Sequence, residues 1–128
     1  MKAKSAKRSA GTVGVVGLGI MGGAFAKHLS AAGFKVTGFD IAPAAINALK
    51  KLGGVAASSA AEVAASQKII ITSLPSYAAF EAALFGKDGI AAGAKRGTIV
   101  VEVSTLPLKL KEDARKRFAK IGVIMLDC

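Results

Sequence analysis

The clearest chemistry in the chain belongs to three glycines at fixed spacing, Gly17-Leu18-Gly19-Ile20-Met21-Gly22, between the β-branched run Thr12 to Val16 and an Ala-rich stretch of helical period. A strand that passes this tightly into a helix uses each glycine differently. Gly17 permits the sharp turn, Gly19 withholds a side chain where a pyrophosphate must approach the backbone, and Gly22 lets the helix pack against the strand. Leu18, Ile20 and Met21 complete the loop. The amides at the helix start then face the phosphate oxygens, helped by about half a positive charge from the helix dipole. Asp40 stands 18 residues beyond Gly22, at the end of the next apolar run. A carboxylate there accepts from the hydroxyls of an adenosine ribose and repels a 2'-phosphate. With Ile41 rather than an arginine beside it, the expected cofactor is NAD, with NADP disfavoured. The structural alternative for Asp40 is an acid that ends a strand and opens the turn at Pro43.

These residues need a parallel sheet to bring them together, and from Thr12 onward the chain alternates short β-branched runs with Ala-rich stretches. That pattern predicts an α/β fold, a Rossmann-type doubly wound parallel sheet with helices on both faces. Strands are expected at Thr12 to Val16, Lys35 to Phe39, Lys68 to Ser73, Thr98 to Val103 and Val123 to Leu126, with a short one near Val55. Helices are expected at Met21 to Ala32, Ala44 to Leu52, Ala60 to Ala65, Tyr77 to Leu84 and Pro107 to Ile121. Gly33 reads as a C-cap, and Pro43, Pro75 and Pro107 stand at or before helix starts. Ser58 or Ser59 caps the third helix, with Glu62 placed for a capping box. Ser76 caps the fourth, and Phe85 to Gly89 reads as a turn-rich loop.

Composition narrows the partners. Hydrophobic residues make up 52% of the 128-residue chain and aromatics 5%, so Ala, Val, Ile and Leu must fill one core. The net charge of +10 invites a nucleic-acid reading. Its distribution argues otherwise: Lys2, Lys4, Lys7 and Arg8 lie in a leading segment without apolar period, read as a disordered basic tail over residues 1–10. Lys109, Lys111, Arg115, Lys116, Arg117 and Lys120 crowd one late helix, read as a solvated or interface face. No aromatic platform accompanies them, so no nucleic-acid partner is expected. Glycines break the apolar stretch from Thr12 to Ala26, which excludes a signal core, and no apolar run suits a membrane span. The only cysteine, Cys128, rules out an internal disulfide and suits a reducing, cytoplasmic setting. His28, the only histidine, is read as a surface or packing residue.

Several motifs in order carry a resemblance. Gly17 to Gly22 with its Met21, Leu29, Ala32-Gly33 ahead of Val36, Ser73-Leu74-Pro75, Gly86-Lys87-Asp88-Gly89-Ile90, Ser104-Thr105-Leu106-Pro107 and Leu126-Asp127 resemble the N-terminal domain of the 3-hydroxyisobutyrate and 6-phosphogluconate dehydrogenase superfamily. The resemblance covers Val13 to Cys128. It implies an NAD-binding domain over residues 11–128 whose full-length parent is a hydroxyacid dehydrogenase or reductase. Leu74 and Pro75 would lie along the adenosine and ribose side, with Thr105 and Ser104 near the nicotinamide and substrate. Read unaided, Ser104 to Pro107 is a helix start with a hydroxyl N-cap.

His28, Phe25 and Ala79 depart from the family's usual residues, which touches details of cofactor grip and leaves the glycine turn intact. The resemblance also implies that the catalytic lysine and its helical domain lie beyond Cys128. The fragment is then expected to bind cofactor without catalysis and to carry no catalytic residue and no metal. The parent would act on a small hydroxyacid or its semialdehyde. The alternative is a non-catalytic dinucleotide-binding or sensing module. Exposed apolar surface and a homo-oligomer are expected of the isolated domain.

Overall fold

The structure, a computed structural model, describes residues 11–128, and the leading segment read as a tail lies outside the described residues. Strand and helix alternate as β1 (Gly11–Val16), α1 (Ile20–Ala31), β2 (Phe34–Phe39), α2 (Pro43–Lys51), β3 (Val55–Ala56), α3 (Ala60–Ser66) and β4 (Ile69–Thr72). The second half continues with α4 (Tyr77–Phe85), α5 (Ile90–Gly93), β5 (Ile99–Glu102), α6 (Leu108–Ala119) and β6 (Ile124–Asp127). All six strands form one sheet in the order β3-β2-β1-β4-β5-β6, every neighbouring pair parallel. The chain winds outward from β1 to β3, returns beside β1 as β4, and winds the other way. The loops after β1 and β4 therefore diverge, and a crevice opens between them at the carboxyl edge.

Local signals account for most boundaries. Ser59 is the N-cap of α3: its Oγ accepts from the Glu62 amide at 3.1 Å. The Glu62 carboxylate accepts in return from the Ser58 hydroxyl at 2.9 Å and from the Ser58 amide. The amide bond, followed by the hydroxyl bond, holds the Glu62 carboxyl below its usual range. Ser76 caps α4 by accepting from the Ala79 amide at 3.2 Å. Gly33 follows α1 at φ +98, a left-handed position that favours glycine.

Two readings change. A short helix, α5, follows Gly89 where the sequence reading placed only loop before β5, because four residues carry too little period to be seen. Its Ile90 is fully buried. The N-cap of α6 is Pro107, with no side-chain capping bond, so neither Ser104 nor Thr105 caps that helix.

The sheet's two faces are covered unequally. On one, Val13, Val15 and Val36 pack against Ala26 of α1 and Leu49 of α2. On the other, Val16, Ile70, Val100 and Met125 pack against Val63, Phe80, Leu84 and Phe118 from α3, α4 and α6. The α1–α2 layer does not reach across β5 and β6. Strand register aligns Ile69 with Ile99 and Ile124, and Ile71 with Val101 and Leu126, on that open side. Ile124 and Leu126 are about half exposed there, 51% and 50%. The expected apolar patch is thus present at the β6 edge.

Candidate dinucleotide-binding cleft

The mouth of the crevice is shaped first by main chain. Gly17 adopts φ +93, and a Cβ there would strike the Ser73 carbonyl of the facing loop. A Cβ on Gly22 would strike the Gly17 carbonyl, so α1 can lie this close to β1 only with glycine at that position. At Gly19 the reason differs. A Cβ there would meet nothing within 4 Å, so the fold itself does not need the glycine; what it leaves open is the space in front of the helix. Gly19 is the N-cap of α1 and makes no side-chain cap, while the Gly23 amide donates to its carbonyl at 2.7 Å. The amides of the first turn are therefore presented outward at the positive end of a 12-residue helix. Ile20 beside them is 98% exposed.

Asp40 sits just past the end of β2 and closes this mouth from one side. Its Oδ2 accepts from the Leu18 amide at 2.6 Å and its Oδ1 from the Ala42 amide at 2.8 Å. The second bond is the turn-forming one anticipated for an acid ahead of Pro43. The first ties the carboxylate to the glycine loop itself and fixes its oxygens at the mouth. Each oxygen keeps lone-pair capacity for a further donor.

The opposite side, beyond β1, is held by a buried ion cluster that the sequence reading did not foresee. Register places Thr72, Glu102 and Asp127 in one row across the carboxyl ends of β4, β5 and β6. Glu102 is fully buried. Its Oε1 accepts from the Thr72 hydroxyl at 2.8 Å and the Ser104 hydroxyl at 2.7 Å, and its Oε2 from the Ser104 amide at 3.0 Å. Lys111 of α6 supplies the countercharge, with Nζ 3.2 Å from Glu102 Oε2 and 2.8 Å from Asp127 Oδ1. Burial works against the ammonium, but the hydrogen bonds and charges of Asp127 and Glu102 outweigh it and raise its pKa above the ordinary 10.5.

This corrects the reading of the late helix as a solvated or interface basic face at two positions, while Lys109, Arg115, Lys116 and Lys120 are exposed as expected. Lys111 is buried, and Arg117 makes a two-pronged pair with Glu81 at 3.0 Å while lying over the Phe85 ring. Helical period alone could have marked Lys111, since it shares a face with buried Ala114 and Phe118, three and seven residues on.

Between the two sides lies a cleft of about 960 Å³, near the upper end for ligand sites. Gly17, Gly19, Ile20, Met21, Asp40, Leu74, Pro75, Ser104 and Thr105 all line it. Gly22 and Leu18 stand behind the lining, one by close packing and one by its bond to Asp40. Ser104 lines the wall, but its hydroxyl is committed to protein: it donates to Glu102 and accepts from the Leu74 amide at 2.7 Å. Ser58, Ser59, Lys87 and Asp88 also line the cleft and escaped the sequence reading, because loop residues distant in sequence carry no period. His28 is exposed on α1, outside the lining.

The geometry fits a dinucleotide: bare helix amides, an open approach at Gly19 and a carboxylate at the second strand. Residues 12–128 match the family model described as the NAD binding domain of 6-phosphogluconate dehydrogenase. The chain belongs to this family. Among curated proteins it is similar to L-threonate dehydrogenase of Cupriavidus necator, 36% identical over 90% of this chain and 39% of that protein. It is also similar to the mitochondrial 3-hydroxyisobutyrate dehydrogenase of Mus musculus, 34% identical over 90% of this chain and 34% of the relative. The solved 3-hydroxyisobutyrate dehydrogenase of Mycobacterium tuberculosis with L-serine superposes with a TM-score of 0.82 at 30% identity, over 91% of this chain and 39% of that one. The chain thus spans 34 to 39% of the length of these curated relatives. Among the described residues no helix is long and apolar enough to cross a membrane.

Proposed function

We propose that this domain holds NAD for an oxidoreductase that passes hydride between the nicotinamide and a small hydroxyacid or its semialdehyde. The observation that carries the reading is Gly19: it is the one glycine of the motif that packing does not require, and its vacancy faces the uncapped amides of α1. A pyrophosphate accepting from those amides completes the helix start and gains from the dipole. Asp40, fixed by Leu18 and Ala42, is directed at the adenosine ribose and selects NAD over NADP by repulsion of a 2'-phosphate. Leu74 and Pro75 form the apolar flank, and Thr105 approaches the nicotinamide from the end of β5. The bound nicotinamide supplies the hydride chemistry; these residues bind it, orient it and fix its distance from the sheet edge.

Substrate class comes from the relatives' names, a threonate and a hydroxyisobutyrate dehydrogenase, both acting on small hydroxyacids. We further infer that copies of the domain associate through the apolar β6 edge, and that the setting is cytoplasmic, on the strength of the single, exposed Cys128. Calorimetric titration of the 128-residue chain tests the core of the reading. NAD should bind more tightly than NADP, and Asp40→Ser should narrow or reverse that preference. Absence of heat with either dinucleotide rejects it; unchanged selectivity in Asp40→Ser rejects the role of Asp40.

A further inference from the structure

We propose that Glu102 and Lys111 are positioning residues for the nicotinamide half of the cleft, acting through Ser104; this rests on the dinucleotide reading above. Sheet order separates the two halves of the ligand: Asp40 follows β2 on one side of β1, whereas β4, β5 and β6 lie on the other. On that second side two loops meet, Ser73 to Pro75 after β4 and Val103 to Thr105 after β5, and both line the cleft. One hydroxyl joins them. The Ser104 proton goes to Glu102, which directs the oxygen lone pair at the Leu74 amide. Glu102 therefore sets the spacing of the two loops and, through the backbone of Ser104, the placement of exposed Thr105.

The carboxylate can do this as a buried anion because Lys111 neutralises it. Four groups face it: the Thr72 hydroxyl from β4, the Ser104 hydroxyl and amide from the β5 loop, and the Lys111 ammonium from α6. Asp127 of β6 shares the ammonium and so links the row to the last strand. Without the ammonium the carboxylate is left uncompensated in a dry site, and the joined loops must part or admit water.

Two ligands separate this role from general support. ADP carries the adenosine and pyrophosphate, meets the Leu74–Pro75 flank and stops short of the β5 loop, whereas NAD reaches both loops, so the larger loss falls on NAD. Lys111→Met should weaken NAD by about fivefold and leave ADP within about twofold of the parent chain. Lys111→Arg, which keeps the charge and can fork to both carboxylates, should restore most of the NAD affinity. Ser104→Ala cuts the link itself while leaving the ion pair intact, and should show the same selective loss even if Lys111→Met fails to fold. Equal loss of NAD and ADP, or unchanged NAD affinity in Ser104→Ala, overturns the proposal. A parent chain that binds neither ligand instead overturns the proposed function and takes this inference with it.

Discussion

On the β2 side of the cleft the walls are main chain: glycines that admit a close approach, amides left bare at a helix start, and one carboxylate bonded to two backbone N–H groups. On the β4–β6 side they are held by side chains, a carboxylate with no exposure and an ammonium that joins β5 and β6 to α6. The first arrangement tolerates no added atoms at Gly17 or Gly22 and depends little on charge balance. The second depends on charge balance entirely, because each ion in it is affordable only while its partner remains. Flexibly solvated ligand groups can thus be met by a rigid frame on one side and an electrostatically set frame on the other.

Removal of the countercharge should give the largest effect. Lys111→Met leaves Glu102 buried and unpaired and should cost roughly 3–5 kcal/mol in denaturant unfolding. If the loss is under about 1 kcal/mol, the row is not the electrostatic frame described. The same pair predicts a pH signature. The folded-state pKa of Lys111 lies above its ordinary 10.5, so its contribution is complete below that value and disappears as pH climbs through the raised one. The stability difference between parent and Lys111→Met should therefore shrink at alkaline pH, and should be flat from neutrality up to about pH 10.

The contrast also explains what could be read from the residues alone. Gly17, Gly19, Gly22 and Asp40 all belong to one β-α-β unit, so the roles proposed for them rest on short spacings, and the strands and most helices follow from short β-branched runs alternating with Ala-rich stretches. The Glu102 row is assembled from Thr72, Glu102, Lys111 and Asp127, which meet only through register across β4, β5 and β6. Lys111 was hidden among five other basic residues near or on α6, and only its spacing to Ala114 and Phe118 set it apart. Ser104 lines the cleft, yet its hydroxyl faces inward because a buried acceptor two residues earlier claims it.

Within the glycine turn, two alanine substitutions should separate packing from ligand space. Gly22→Ala drives a methyl into the Gly17 carbonyl and should cost toward the upper end of roughly 1–3 kcal/mol, with NAD binding lost as the turn shifts. Gly19→Ala meets no atom within 4 Å and should leave thermal unfolding nearly unchanged while lowering NAD affinity about tenfold. Equal destabilisation by the two would show that Gly19 is structural after all, and would remove the observation on which the dinucleotide reading stands.

The smallest effect is expected at α3, the helix that carries the chain from the β3 edge back to β4 and so joins the two sides. Ser59→Ala deletes the hydroxyl that accepts from the Glu62 amide and should cost about 1 kcal/mol, as for other N-caps. Glu62 adds an acid-side signature: its lowered folded-state pKa means that its contribution is present above the ordinary 4.5 and vanishes as pH falls through the folded value. Thermal melts of the parent and Glu62→Gln across pH 3 to 7 should draw together at the acid end, where the parent carboxylate is protonated too. Ser59→Ala keeps the carboxylate and its bonds to Ser58, and should stay separated from the parent by a constant amount. Because Ser59 also lines the cleft, NAD affinity measured in the same variant reports whether that start is merely a cap. An unchanged affinity beside a lowered melting point would assign α3 to the frame and leave ligand contact to the loops after β1, β2, β4 and β5.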